Sequence, residues 1–412
     1  MNNFDPFHFP AVVRTFCVIL QLTQNRCSWY ERNVIFEMHF VCMGNGPCSA
    51  NQPFRSRSHM VFISHTLNPS IKQEKEEIKM KELKYRGLLV VLFICLFITC
   101  ITAVATAGRI VLKFGWTTAA GETDPYAISA RQFKKALDEF APGQFDVQFF
   151  PSRQLGDEKE MLEGLSFGTL DAAVITNSPI SRIALPFQIN DMPFIYSNKQ
   201  QAYKVLDGPV GQKLMKILDK KNIIGFGFCE GGYRQMINNV RAVYMPKDVS
   251  GIKWRVMPNP VYIGMFRALG GNAVPMAWGE VFTAMQQGTI DGLEIPIAVI
   301  FNNHYFEVAK HLSLTNHTYS ALGLLMSKSK FNSLSPEQQT AVRKAARKAI
   351  EEERRMNTEN VKSLISKIQE KGMKVNKLED SSAFREKVKP VYEEFRSSIG
   401  SDILDAVLAE VK

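Results

Sequence analysis

The stretch WRVMPNP, Trp254–Pro260, sets an arginine inside an apolar run that ends at a proline-bounded loop. With Trp254, Val256 and Met257 beside it, Arg255 is expected to be partly buried, and a buried guanidinium needs a partner. Two chemistries fit. One is an internal ion pair with an aspartate or glutamate. The other is a clamp on a ligand carboxylate, whose two oxygens match the guanidinium fork. GLSFG, Gly164–Gly168, has the spacing of a nucleophile elbow around Ser166. An elbow needs a strand before the serine and a helix after it, and here a helix-like segment precedes and DAAVIT follows. It reads as a helix-to-strand turn. There is no P-loop and no H-E-x-x-H, and Glu230 stands where GFGFCEG would need its third glycine. His304, His311 and His317 are scattered, and Cys229 has no evident base. Neither a cofactor nor a metal is expected.

The elements around these residues alternate. RIVLKFGW places Ile110, Leu112, Phe114 and Trp116 on one side of a strand. A polar loop, 117–124, leads to the amphipathic helix PYAISARQFKKALDEF, opened by Pro125. QFDVQFF is a second strand, GDEKEMLEGLSFG a helix and DAAVIT a third strand. This β-α-β-α-β order predicts a mostly parallel sheet covered by helices, with ligands at the strand ends. A second unit of the same kind follows: strands NIIGFGFCE and GIKWRVM, helix NPVYIGMFRALGG, a short strand GNAVPMA, helix GEVFTAMQQG and strand IDGLEIP. LGLLMSK is a return strand to the first unit. Ser335 and Pro336 then open the longest helix, which runs to a stop at Gly372. About 36 residues at 1.5 Å each span roughly 54 Å, more than one small domain. Val342, Ala345, Ala346, Ala349, Val361, Leu364, Ile365 and Ile368 form its inner face, and the charged residues between them are expected to be solvated.

The N-terminus has a different character. From Met80, a basic front (Lys81, Lys84, Arg86) leads into the apolar run Leu88–Val104 and then into Ala105-Thr106-Ala107. That is a signal peptide with cleavage after Ala107. The apolar run approaches the ~20 residues of a membrane anchor, but the small-residue ending favours cleavage. Ile94 and Thr99 precede Cys95 and Cys100, where a lipoprotein signal wants a small residue. A signal peptide works only at a free N-terminus, so residues 1–79 are expected to be a mis-assigned start. Codons 75–77 are expected to spell a purine-rich ribosome-binding sequence before Met80. The rival, a true N-terminal domain, lacks any periodic apolar pattern to support it. Of the seven cysteines only Cys229 follows Ala107, so the mature chain forms no internal disulfide. Residues 1–107 carry 11 basic and 7 acidic residues of the chain's 50 and 40, which leaves +6 on the mature 305. That charge is dispersed, which argues against nucleic acid and suits small anions.

The segments FPSRQLGDEKEMLEGLSFGTLD, YRQMINN, WRVMPNPVY, ALGGNAVPMAWGEVFTAMQQGTIDGLEIP and SLTNHTYS occur in that order over about 110–400. Together they resemble the solute-binding proteins of tripartite ATP-independent periplasmic (TRAP) transporters, the C4-dicarboxylate-binding family. The resemblance implies an α/β, two-lobed periplasmic-binding-protein-like fold with a long helix spanning both lobes. Lobe I is expected at 108–231 plus 321–360, and lobe II at 232–320 plus 361–412. It also implies closure on an organic acid and delivery to a membrane permease, without enzymatic turnover. In this family the arginine of the RVxPN-like strand, here Arg255, makes a bidentate salt bridge to the ligand carboxylate. Arg234 is a second anion contact and Trp278 packs on the ligand. Glu158 and Asn177 are offered to ligand hydroxyls, and Asn259 and Thr117 complete the set from strand-end loops. Where the family pattern reads DGQENP, this chain has Asp291-Gly292-Leu293-Glu294-Ile295-Pro296. Ile295 cannot donate a hydrogen bond, so sugar, hydroxy and keto acids stand beside succinate-like ligands. Rival functions are a periplasmic ligand sensor and a serine hydrolase built on Ser166. N-terminal sequencing of the exported protein should begin at Gly108. A first residue upstream of Met80 would instead establish the leader as part of the protein.

Overall fold

In the computed structural model, residues 73, 76–90, 92 and 108–411 are described. Two compact units divide at Cys95. In the first, 76–90 is helical and exposed. Most of the expected leader and signal segment, including the cleavage site after Ala107, lies outside the described residues. Among the described residues no helix is long and apolar enough to cross a membrane.

The second unit is built on one nine-stranded sheet. Its first half is β1 (Ile110–Gly115), α1 (Pro125–Phe140), β2 (Phe145–Phe150), α2 (Glu158–Phe167) and β3 (Ala172–Thr176). Short α3 (Asn177–Ile183), a 3-10 turn at Leu185–Asp191, α4 (Lys199–Asp207) and α5 (Pro209–Ile217) lead to β4 (Ile223–Asn238). The second half repeats the plan with β5 (Lys253–Val256), α6 (Pro260–Ala268), β6 (Asn272–Pro275), α7 (Trp278–Gln286) and β7 (Gly292–Pro296), followed by α8 (Ile297–Asn302). Then come β8 (His311–Ser327), α9 (Lys328–Asn332), α10 (Pro336–Glu370), β9 (Lys374–Lys377), α11 (Ser382–Ile399) and α12 (Ser401–Glu410). Strand order is β2-β1-β3-β8-β4-β7-β5-β6, with β9 on β8. Within each half the strands are parallel, whereas β3–β8, β8–β4 and β4–β7 are antiparallel.

Three antiparallel steps separate β3 from β7, so the two halves run in opposite directions. Their carboxyl ends therefore meet near the middle of the sheet. Thr176, the last residue of β3, pairs with Leu322. Pro296, the last of β7, pairs with Arg234, which pairs with Thr318. The four residue steps of β8 from Thr318 to Leu322 span about 13 Å, a gap the size of a small molecule.

Side-chain alternation splits the core into two layers. Ala173, Ile175, Ala321 and Leu325 pack with α2–α6, α11 and α12, whereas Ala172, Val174, Leu322, Leu324 and Met326 pack with α1, α7, α8, α9 and α10. The last helix, α12, is tied to α4 and α5 by Lys204–Glu410 at 2.9 Å and Lys213–Asp402 at 2.5 Å.

Helix α10 begins at the expected Pro336, with Ser335 accepting from Gln338 in a capping box. Its polar middle differs from expectation: Glu353, Arg354 and Asn357 are buried, not solvated. The reason lies in β4. β7 pairs only with 234–238, and among the described residues no strand covers the preceding edge of β4. The helix supplies partners there. Arg354 donates to Phe228 O at 2.6 Å, Glu353 accepts from Glu230 N at 2.7 Å, and Asn357 donates to Glu230 O at 2.8 Å. Register shifts between Glu230 and Gly232 mark a bulge where β4 and β8 cross from one half to the other. Gly232 sits there at φ 97°. Gly232→Ala would meet no atom within 3.7 Å, so only backbone strain opposes it. The substitution should lower stability by about 1–3 kcal/mol, read from the urea midpoint.

Candidate ligand-binding site

The strand ends and the loops after them enclose a small chamber. The β1–α1 loop brings Thr117 and Thr118, α1 brings Tyr126, α2 brings Glu158, and β3 ends on Thr176. From the other half come Arg255 from β5 and Met257 just after it, Trp278 at the start of α7, Ile295 and Pro296 from β7, and Val299 from α8, while β4 contributes Arg234. The chamber measures about 30 Å³. An outer groove of about 550 Å³ shares Glu158, Arg255, Met257 and Trp278 with it.

Local chemistry explains how each wall is held. Asp124 caps α1, accepting from Tyr126 N at 3.0 Å and Ala127 N at 3.1 Å, and Thr118 donates its hydroxyl to the same carboxylate at 2.8 Å. This clamps the loop carrying Thr117. Burial pushes the Asp124 carboxyl up to about 7 despite those bonds.

The two arginines differ in one decisive respect. Arg234 has a carboxylate partner within the chain. Its Nε pairs with Glu294 Oε2, and Nη2 donates to Oε1 at 2.9 Å and to the Glu294 carbonyl at 2.6 Å. Burial opposes its charge, but Glu294 outweighs burial and holds its pKa above the ordinary value. Glu294, for its part, is held below the usual carboxylate range by Arg234 and His317 against burial. Arg255 is buried to 2% exposure and has no such partner. Its Nε and Nη2 both donate to Met276 O, at 2.9 and 2.7 Å. No carboxylate among the described residues pairs with it, and burial lowers its pKa. Its guanidinium carbon lies 6.0 Å from the Trp278 ring centre. The internal ion pair considered for Arg255 is therefore found on Arg234 instead.

Glu158 is the first residue of α2, and its Oε1 accepts from Thr176 N at 3.0 Å. Burial pushes this carboxyl up to about 7, opposed by the Thr176 bond and by Arg255.

Six of the eight residues singled out from the sequence thus converge: Arg255, Arg234, Trp278, Glu158, Thr117 and Ile295. Asn177 and Asn259 do not line this chamber. Asn177 donates to Phe187 O at 2.8 Å and accepts from Asn190 at 3.0 Å. Asn259 caps α6 through Val261 N at 2.8 Å and donates to Ser181 and Asp191 at 2.9 and 2.7 Å. Both amides fasten the 3-10 turn and α3 to their surroundings. Tyr126 and Thr176 were missed. Both follow from the strand-end rule, since Thr176 closes DAAVIT and Tyr126 opens the helix after the first loop.

The family model for bacterial extracellular solute-binding proteins, family 7 (DctP), matches residues 116–398. The chain belongs to this family. The 2,3-diketo-L-gulonate-binding periplasmic protein YiaO of Escherichia coli is 33% identical over 317 residues, covering 76% of this chain and 96% of that protein. A TRAP periplasmic solute-binding protein from Polaromonas sp., solved with D-erythronate, is 34% identical with a TM-score of 0.71, covering 73% and 99% of the two chains. The sugar-acid-binding protein DctPAm from Advenella mimigardefordensis, solved with galactonate, is 30% identical, again with a TM-score of 0.71, covering 74% and 98%.

This is a solute-binding family, and the remaining chemistry-bearing residues fit that. Ser166 lies within α2 and donates to Lys221 O at 2.7 Å, and Gly168 ends the helix at φ 80°. The GLSFG pattern is a helix-to-strand turn. Cys229 is buried, which pushes its thiol pKa up and away from reactivity.

Removing one partner of a buried ion pair strands the other. Glu294→Gln should therefore cost about 3–5 kcal/mol in urea unfolding. The double variant Arg234→Met, Glu294→Leu should recover part of that loss if the pair is a structural brace.

Proposed function

We propose that this protein is exported, loses its signal segment after Ala107, captures an organic acid through one carboxylate on Arg255, and delivers it to a TRAP-type membrane permease. The observation that carries this reading is the charge on Arg255, buried with only a carbonyl as partner. An uncompensated buried ion costs several kcal/mol. A ligand carboxylate supplies the missing countercharge in a bidentate geometry the guanidinium already presents. The organic acids in relatives matched over almost their whole length support it: 2,3-diketo-L-gulonate in the name of one, D-erythronate and galactonate in the structures of two others.

Capture needs movement. A chamber of about 30 Å³ has room for one or two waters, so an organic acid must widen it. We place the lobe boundary after residues 231 and 320, with lobe I as 108–231 plus 321–360 and lobe II as 232–320 plus 361–412. The bulge between Glu230 and Gly232 supports this division. Helix α10 lies along both, and α12 ties the C-terminal stretch back to α4 and α5. Because the chamber takes its walls from both halves, a ligand gains its full contacts only when they close, and closure then reports occupancy.

Titration calorimetry with D-erythronate, galactonate and related acids tests the clamp. Arg255→Ala should weaken binding by about 2–5 kcal/mol, the range for truncating one partner of a buried charge pair. Arg255→Lys should restore little, since an ammonium lacks the fork. Unchanged affinity in Arg255→Ala would remove Arg255 from the site.

A further inference from the structure

The chamber's charges do not balance for every acid. Three charged side chains line it: Arg234, Arg255 and Glu158. Arg234 is neutralised by Glu294, and His317 Nε2 stands 3.3 Å from the same carboxylate. The last Arg234 nitrogen, Nη1, reaches only Ser320 Oγ, at 3.5 Å. Among the described residues one unpaired cation, Arg255, remains in the chamber lining, and it can neutralise one carboxylate.

Resting on the capture reading above, we propose that Glu158 makes the chamber selective for hydroxylated monocarboxylates and turns dicarboxylates away. A single carboxylate on Arg255 leaves the rest of the ligand facing the Tyr126, Thr117 and Thr176 hydroxyls and the Glu158 carboxyl. Glu158 uses Oε1 on Thr176 N, so Oε2 is the oxygen that meets the ligand. A ligand hydroxyl donates to it. A second ligand carboxylate cannot donate, and beside Glu158 it meets a like charge in a chamber whose lining, among the described residues, holds no further unpaired cation. The remaining wall, Met257, Ile295, Pro296 and Val299, is apolar and offers a second carboxylate no donor.

Selectivity should also vary with pH. Burial holds the Glu158 carboxyl near 7, so it is ionised at pH 8 and mostly protonated at pH 6. The charged and titratable groups around it are Asp157 and Glu160 on its own helix, Tyr126 from α1, Arg234 from β4 and Arg255 from β5.

The test compares acids that differ only in the terminal carbon: D-erythronate against meso-tartrate, and galactonate against galactarate. Calorimetry on the wild-type protein at pH 8 should favour each monocarboxylate by about 30-fold or more. The ratio should shrink several-fold at pH 6, where these ligands remain ionised but Glu158 does not. In Glu158→Gln it should fall towards one and lose its pH dependence. Equal affinity within each pair in the wild type, or a ratio unchanged by both pH and Glu158→Gln, would overturn the proposal. The pH series needs no variant, so a misfolded Glu158→Gln leaves the test intact. Binding of both members of a pair, abolished by Arg255→Ala, would leave capture standing while selectivity failed. No binding of any of the four acids would count against both.

Discussion

Two long antiparallel strands, β4 and β8, determine most of what this molecule can do. Each crosses from one half to the other, and the antiparallel steps around them reverse the direction of the second β-α-β unit relative to the first. Without that reversal the carboxyl ends of the two sets of strands would not face one another. With it, the loops after β1, β3, β5 and β7 all open onto one spot. The site is thus a consequence of strand direction before it is a consequence of any side chain.

The crossing brings its own difficulty. Beyond the reach of β7, among the described residues, one edge of β4 has no strand beside it, and its backbone groups are buried. The polar centre of α10 answers that need, with Arg354, Glu353 and Asn357 meeting Phe228 O, Glu230 N and Glu230 O. A helix with an entirely apolar inner face would leave those groups unpaired, at a cost of about 1–3 kcal/mol each. The same contacts place the helix across the strand bulge.

Much of this was legible in the sequence. The alternation of RIVLKFGW and the cap at Ser335-Pro336 located β1 and α10 to within a few residues. The long strands were not legible as such. NIIGFGFCE was read as a complete strand, yet β4 continues through Gly231 and Gly232 to Asn238. Glycine normally punctuates a strand, but here the glycines form the bulges that let it continue. β8 was read from LGLLMSK alone, because SLTNHTYS carries too many polar residues to show an apolar face. Except for Asn316, those polar residues are inside, where His317 and Thr315 bond to each other at 2.7 Å. In the site, the residues that converge are those whose chemistry is unusual for their setting. Arg255 in an apolar strand is the clearest. Asn177 and Asn259 lie outside the chamber for a physical reason: an amide beside a strand end can cap a helix or bind a ligand, and the two uses have the same sequence signature.

The contrast between the two arginines shows how a binding site can be read from what a protein leaves undone. Both are buried in the same chamber, and both pay the same desolvation penalty. For Arg234 the chain provides its own carboxylate from the adjacent strand, which makes the residue part of the scaffold. For Arg255 it provides a carbonyl, which orients the guanidinium without neutralising it. A partner built into the chain would add stability and abolish recognition. On the proposed reading, leaving the countercharge to the ligand would make occupancy and electrostatic satisfaction the same event, one that would also favour closure, because the walls come from both halves of the sheet.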